Sequence, residues 1–311
     1  MIMNLVPAVI LGLIFGSFFN VVIYRTPIAL EAKIKGSAVS LLKQLAWPAS
    51  FCPNCKNKIS WFDNIPVLSW VFLHGKCRQC ASPIKIRYCL VELITATIFS
   101  YFYFKFSFSF EAFYWIVLFS ILIVLFFIDA ETFFLPNFLT IPLIIWGLLG
   151  SYLGISNIIF YDSIVGGVAG FMVLYLLNLA YRTLRKIDGL GAGDFKLLSA
   201  LGVLFGWTSL LPIMTISSIL ALMFIFLMTV LKRQKFQSTS MIPYGPFLIL
   251  SSLFMYANPY IFNNHGLSGC NSNPDSRSGN ISAYLPCEKY TQARSTCGHA
   301  AYVVYSMYFL K

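Results

Sequence analysis

The chain has 311 residues, of which 58% are hydrophobic and only 11% are charged. Charged residues make up roughly a quarter of soluble domains, so this composition excludes a soluble globular protein. The formal net charge of +11 is unevenly placed and indicates membrane topology, and no basic patch interleaved with aromatic residues points to a nucleic-acid partner. We predict an all-α polytopic membrane protein.

Eight apolar segments have the character of membrane-spanning helices, which need about 20 apolar residues. In chain order the predicted spans cover 5–24, 89–106, 113–128, 138–156, 159–180, 196–212, 214–231 and 242–262. Only Pro212 separates the sixth span from the seventh. The first basic residue, Arg25, follows the first span, whereas a secretory signal peptide carries its charge in front. We therefore expect this segment to remain as a transmembrane helix.

The basic residues also predict the orientation of the chain. Ten Lys and Arg lie within 25–88, and the loops at 181–195 and after residue 231 are basic too. Eight spans place all of these segments on the cytoplasmic side, as the positive-inside rule requires. The predicted organisation is a first transmembrane helix at 1–24, a cytoplasmic domain at 25–88, a seven-helix membrane domain at 89–262 and an atypical polar tail at 263–311.

The predicted cytoplasmic domain carries two Cys-x-x-Cys pairs, Cys52 with Cys55 and Cys77 with Cys80. Four thiolates are the ligand set of a tetrahedral structural zinc site, and a short domain with a thin core gains folding energy from a metal. Disulfides are disfavoured on a cytoplasmic face. We expect zinc or a similar thiophilic metal here; the alternative is four reduced thiols without a metal.

Two aspartates lie at the edges of apolar spans. Asp194 follows the glycines Gly191 and Gly193, and Asp129 comes at the end of the third span. An acidic side chain in such a position is costly and is a functional-site candidate. The predicted topology places both on the cytoplasmic side, where two carboxylates that share a site would activate a water molecule. Taken singly, each aspartate would instead be read as a helix cap.

Two further charged residues lie near these positions. Lys196 would bias a nearby carboxylate toward its charged form, or would extend from a helix end to lipid headgroups. Glu92, just inside the second span, is assigned a supporting role in substrate or domain docking.

Several motifs follow one another along the chain. They are Gly16-Ser17-Phe18-Phe19-Asn20, the two cysteine pairs enclosing Asn64-Ile65-Pro66-Val67-Leu68, Gly75-Lys76-Cys77, Arg87-Tyr88-Cys89-Leu90-Val91-Glu92, Ile128-Asp129, Leu135-Pro136-Asn137 and Gly191-Ala192-Gly193-Asp194-Phe195-Lys196. Together they cover residues 5 to about 262. This ordered set resembles the bacterial type IV prepilin peptidases, and its Gly-x-Gly-Asp signature is similar to that of intramembrane aspartyl proteases.

The resemblance implies a bifunctional enzyme of the bacterial cytoplasmic (inner) membrane. Such an enzyme cuts the basic leader from type IV prepilins or secretion pseudopilins on the cytoplasmic side. By the resemblance, Asp129 and Asp194 are the catalytic aspartates, and Gly191, Gly193 and Lys196 belong to the active-site loop. Membrane lipid is the other expected partner.

The resemblance also implies a second activity. After cleavage, the new N-terminus of the pilin is methylated with S-adenosylmethionine as the methyl donor. Only the resemblance points to a place for this reaction, which is the cysteine domain. Gly75 and Lys76 are the candidate methyltransferase residues, although Gly75 would serve equally well as a turn before a metal knuckle.

The chain departs from the family pattern at two places, and two alternative functions remain open. Asn137 stands where the family often has Asp after Leu-Pro, and the tail at 263–311 has no counterpart in the family. One rival is an intramembrane aspartyl protease without methyltransferase activity. The other is an ion transporter in which Asp129 and Asp194 line the path; no pair of broken apolar segments in two matched halves supports it.

Overall fold

The computed structural model describes residues 5–35, 50–156, 158–186, 189, 191–232 and 242–258. The tail predicted for 263–311 lies outside these residues. The described parts contain eight long helices and no strand. They are α1 (Val6–Ile34), α2 (Arg87–Phe106), α3 (Phe110–Thr132), α4 (Asn137–Tyr152), α5 (Phe160–Arg185), α6 (Ala192–Phe205), α7 (Leu210–Lys232) and α8 (Gly245–Ala257).

The predicted all-α membrane architecture is confirmed, and the count of eight spans is approximate. Five segments of the described chain are long and apolar enough to cross a membrane: Val6–Ala32, Arg87–Phe106, Phe110–Thr132, Phe160–Arg185 and Trp207–Leu231. The helices α4, α6 and α8 have only 16, 14 and 13 residues. At a rise of about 1.5 Å per residue, each is shorter than the roughly 30 Å hydrocarbon core.

The boundary between the sixth and seventh predicted spans differs from the expectation. The chain breaks at Gly206, which has φ +80°, and continues through the 3-10 turn Trp207–Ser209. Pro212 lies in the first turn of α7, Leu210–Lys232. Proline is tolerated there because the first backbone N–H groups of a helix have no intrahelical acceptor. The helix break therefore depends on glycine rather than on proline.

The pair α5 and α6 is among the most closely packed in the molecule. A Cβ atom added at Gly166 would lie 2.2 Å from the carbonyl oxygen of Gly202, so the two helix backbones touch. Ser163 and Ser199 each donate a hydrogen bond of 2.7 Å to a carbonyl of the facing helix. Small residues and interhelical hydrogen bonds of this kind drive helix association in membranes. They fix the position of α6, whose first turn contains Asp194.

A second close pair is formed by α1 and α2, and α3 packs against both. The contacts of α3 with α4 and α8 continue the bundle on its other side. Arg87, at the start of α2, forms a salt bridge with Glu131, near the end of α3. The start of α2 and the end of α3 therefore lie at the same end of the bundle, together with the cysteine segment that precedes α2.

Candidate active site and metal centre

Asp129 lies in the last turns of α3 and is 4% exposed. Its Oδ2 is buried and has no hydrogen-bond partner among the residues that the structure describes. A carboxylate in a buried position is unfavourable unless it is paired or used. This aspartate is therefore not a helix cap facing water.

Asp194 lies in the first turn of α6 and is 9% exposed. Its backbone N–H donates to the carbonyl of Gly191 at 3.1 Å, and this bond shapes the glycine-rich start of the helix. The carboxyl groups of Asp194 and Asp129 interact electrostatically. The fold thus brings together two acidic side chains that are far apart in the sequence.

Gly245 is a site residue that the sequence analysis missed. It begins α8, and a Cβ atom at this position would lie 2.5 Å from Oδ2 of Asp129 and 3.4 Å from Cδ1 of Leu135. Leu135 also contacts the glycine-rich turn, because a Cβ atom added at Gly193 would lie 2.7 Å from the Cβ of Leu135. Glycine at both positions lets three segments converge on the aspartates. The Gly-Pro pair at the start of the last span is the only signal in the sequence that pointed to this turn.

Lys196 has a different partner from the one expected. Its Nζ donates to Oδ1 of Asn137 at 2.7 Å, so it connects α6 to the first residue of α4. Asn137 is the position at which the chain departs from the family pattern, and its amide oxygen accepts this hydrogen bond without adding a negative charge. The lysine thus contacts the edge of the site through a neutral acceptor.

The four cysteines of the two Cys-x-x-Cys pairs form one cluster, Cys52, Cys55, Cys77 and Cys80, whose Sγ atoms all lie within 4.8 Å of one another. Cys52 and Cys80 are 3.8 Å apart at sulfur. Zinc in a tetrahedron of thiolates, with Zn–S near 2.3 Å, separates the sulfurs by about 3.8 Å. The residues present therefore fit a structural zinc ion.

The backbone around the two cysteine pairs repeats. In the first turn, the N–H of Cys52 donates to Asn57 and Lys56 donates back to Cys52; in the second, Cys77 donates to Ser82 and Ala81 donates back to Cys77. An antiparallel bridge closes each turn, between Phe51 and Lys58 and between Lys76 and Pro83. Two equivalent knuckles thus present their thiols to a common centre.

Ser82 favours the ligand form of one thiol. Hydrogen bonds from its hydroxyl group and its backbone amide lower the pKa of the Cys80 thiol to about 6. The distance between Cys80 Sγ and Ser82 Oγ is 3.1 Å. The thiolate is the form that binds a metal.

We expect purified protein to contain about one zinc ion per chain, as a four-cysteine site binds one ion. Replacing Cys80 by Ser should lower the zinc content and the melting temperature, because the metal contributes to folding. Cys89→Ser is the matched control, since Cys89 is a buried free cysteine outside the cluster. Elemental analysis that found equal zinc in Cys80→Ser and Cys89→Ser would contradict the metal site.

Glu92 connects the cysteine domain to the membrane helices. It is 8% exposed, and its Oε2 accepts a hydrogen bond of 2.7 Å from the N–H of Val67. Val67 lies just before the short helix Leu68–Phe72 of the cysteine domain. The side chain therefore contacts the cysteine domain although it belongs to α2.

The fold and the carboxylate pair define a class of protein. It is a multi-pass membrane protein with two interacting acids buried at one end of a helix bundle, the arrangement that a membrane-embedded aspartyl peptidase requires. Comparison with known proteins gives the same class. Residues 10–106 match the bacterial peptidase A24 N-terminal domain, and residues 116–226 match the type IV leader peptidase family.

Curated relatives extend the likeness over most of the chain. A prepilin leader peptidase/N-methyltransferase of Aeromonas hydrophila is 38% identical over 251 residues, which is 77% of this chain and 86% of the relative. Proteins of the same name from Klebsiella pneumoniae (41% over 199 residues, 64% and 84%) and Neisseria gonorrhoeae (36% over 260 residues, 80% and 88%) are also similar. The chain belongs to the prepilin leader peptidase/N-methyltransferase family. No solved structure matches it significantly.

Proposed function

We propose that the protein removes the leader of type IV prepilins or secretion pseudopilins and then methylates the new N-terminus. Family membership supports both activities. The observation that carries the peptidase activity is that Asp129 and Asp194 are both buried and share a neighbour, Leu135, which lies against the Gly245 turn beside Asp129 and against Gly193 beside Asp194. An ion path would need polar groups along the bundle, and the two acids instead lie together at one end.

The proposed hydrolysis needs one carboxylate and one carboxylic acid. Two acids that share a site cannot both ionise cheaply, so the pair holds one proton between them. The carboxylate takes a proton from a water molecule while the oxygen of that water attacks the scissile carbonyl carbon. The carboxylic acid donates a hydrogen bond to the carbonyl oxygen. The C–N bond then breaks, and the leaving nitrogen receives a proton. The proton belongs to the pair, so neither aspartate is assigned as the acid.

The placement of the site supports access for a leader peptide. Both aspartates lie at the end of the bundle that also holds the cysteine domain, and the basic segments predict this end to face the cytoplasm. The hydrophobic part of a prepilin would pack along the exposed apolar faces of the spans. Gly193, beside Asp194, lets Leu135 pack closely against the turn that carries this aspartate.

The methyl transfer requires a methyl donor, for which we propose S-adenosylmethionine. When bound, it supplies an electrophilic methyl group: the neutral amine of the cleaved pilin attacks this carbon, the C–S bond breaks with its electron pair left on sulfur, and the product amine carries the positive charge. We assign this reaction to the cysteine domain and the adjoining helix ends, and the cleavage to the membrane domain. Zinc, where bound by the four cysteines, is structural in this scheme.

The experiment that tests the proposal uses purified protein, a synthetic prepilin peptide and S-adenosylmethionine. Mass spectrometry should find the peptide cut after its leader and the new N-terminus carrying one added methyl group. Without the methyl donor, cleavage should continue and methylation should stop. A peptide that remains intact under all conditions would contradict the peptidase assignment. A peptide that is cut but never methylated would contradict the second activity alone.

A further inference from the structure

A cavity of about 540 Å³ lies between the cysteine domain, the middle of α1, the start of α2 and the end of α3. Its walls include Asn20 of α1, Arg87 and Glu92 of α2, Trp70 of the cysteine domain and Glu131 of α3. Pockets that enclose a small ligand typically span about 300–1,000 Å³. The cavity therefore has room for a ligand of nucleoside size.

Two buried polar atoms on these walls have no hydrogen-bond partner among the described residues. Asn20 is 3% exposed; its Nδ2 donates to the carbonyl of Tyr88 at 2.9 Å, while its Oδ1 is an acceptor without a donor. Arg87 is 8% exposed; its Nη1 contacts Glu131, while its Nε is a donor without an acceptor. A buried polar group without a partner is costly, so each atom is a position that a ligand would satisfy.

The third buried polar group on the walls is Glu92, at 8% exposure. The three buried groups named here are thus one cation, one anion and one neutral acceptor. This set is complementary to a zwitterion, because Arg87 would bind a carboxylate through charge-assisted hydrogen bonds. Glu92 and Oδ1 of Asn20 would accept from an ammonium group. An amino-acid moiety has both of these groups.

Aromatic side chains complete the cavity. Trp70 and Tyr88 belong to its walls, and the guanidinium of Arg87 lies 4.6 Å from the ring centre of Tyr88. The Nε1 of Trp70 donates to the carbonyl of Ile84 at 3.3 Å, which holds the indole in place. Purine rings stack on such aromatic faces. The cavity thus offers separate places for an amino acid and for a purine.

Gly75 contributes to the cavity indirectly. It has φ +68°, and a Cβ atom at this position would lie 3.0 Å from Cζ2 of Trp70. The described residues that line the cavity include Trp70 but neither Gly75 nor Lys76. Gly75 is therefore a positioning residue for the indole, and a side chain there would push Trp70 out of place.

The charges of the cavity disfavour the basic leader as its occupant. Its described lining has five cationic side chains and three carboxylates, namely Arg25, Lys58, Arg78, Lys85 and Arg87 against Asp63, Glu92 and Glu131. A peptide with several Lys and Arg would be repelled by this excess. A small ligand with an amino-acid moiety and at most one net positive charge is repelled far less.

We propose that this cavity binds S-adenosylmethionine, with Arg87, Glu92 and Asn20 holding its amino-acid part and Trp70 its adenine. The inference rests on the proposed methyltransferase activity. Glu131 joins the two sites, because it lies on the cavity wall two residues after Asp129 in the chain. The peptidase site and the cavity therefore share the last turn of α3.

Calorimetric titration of the full chain in nanodiscs with S-adenosylhomocysteine tests the proposal. Glu92→Gln and Arg87→Gln remove one charge each and should weaken binding at least about tenfold, the loss expected when one charge-assisted contact is removed. Glu111→Gln, an exposed acid in the first turn of α3, is the matched control and should bind like the unchanged protein. Unchanged affinity in both cavity variants would overturn the proposal.

A second measurement uses the unchanged protein, so it does not depend on how the variants fold. Photolabelling with an azido derivative of S-adenosylmethionine, followed by peptide mapping, should mark the peptides that contain Trp70 or Tyr88. Labelling confined to other segments would overturn the cavity assignment and leave the methyltransferase activity standing. No binding and no methylation by a protein that still cuts prepilin would instead refute that activity, and the cavity assignment with it.

Discussion

Replacing Asp129 or Asp194 by Asn should reduce leader cleavage by about 10³-fold or more, well within the range for loss of general acid–base catalysis. The reason is the shared proton. An amide side chain can neither take a proton from water nor return one to the leaving nitrogen. Because both aspartates are buried and interact, either substitution should have nearly the full effect, and the double variant should be little worse than either single one.

Cleavage rates of a prepilin peptide, followed by mass spectrometry, measure this effect. Asp162→Asn is the matched control, since Asp162 lies in the first turn of α5 and outside the carboxylate pair. Methylation of a peptide that already lacks its leader would show that the variants are folded. Cleavage by either Asn variant at the rate of the control would rule out the pair as the catalytic acids.

Replacing Gly245 by Ala should also impair cleavage strongly. The added Cβ would lie 2.5 Å from Oδ2 of Asp129, a separation at which the carboxylate or the helix must shift. A displacement of about 1 Å at a catalytic group can cost roughly 10²-fold in rate. We expect kcat to fall by about this factor, with a much smaller change in KM, because the methyl group alters the catalytic geometry rather than the substrate groove.

Gly191→Ala provides the comparison for this substitution. A Cβ atom at Gly191 has only one close neighbour, Oδ2 of Asp194 at 3.6 Å, which is ordinary contact. Substitutions without a clash usually change free energies by about 0.5 kcal/mol or less, equivalent to roughly twofold in rate. If the two alanine variants cut the peptide at the same rate, the contact between Gly245 and Asp129 has no bearing on catalysis.

The sequence was most informative where a residue type conflicts with its surroundings. Asp129 and Asp194 stand out because acids are rare at the edges of apolar spans, and the positive-inside rule was enough to predict that they share one side. The four cysteines were equally informative, because the spacing of metal ligands within each Cys-x-x-Cys pair is local. The structure brings all four sulfurs together. In both cases each single motif is short enough to be recognised within a few consecutive residues.

Features that depend on contact between distant segments could not be predicted in this way. Gly245 looks like any helix start until α3 places Asp129 against it. The hydrogen bond between Lys196 and Asn137 joins two helices, and the hydrophobic periodicity of the sequence does not predict how these helices are rotated relative to each other. The break at Gly206 was missed because 196–231 reads as one apolar run, within which a proline is the more conspicuous residue.

The hydrogen bond between Val67 and Glu92 has a consequence for protein quality control. Chelation or oxidation of the four thiols would loosen the loop that supplies this amide, and the buried carboxylate of Glu92 would lose one of its hydrogen-bond donors. Loss of the metal site in the cysteine domain would then weaken the packing of α2, which forms a close pair with α1. Thiol chemistry outside the membrane is thereby tied to the integrity of the segments within it.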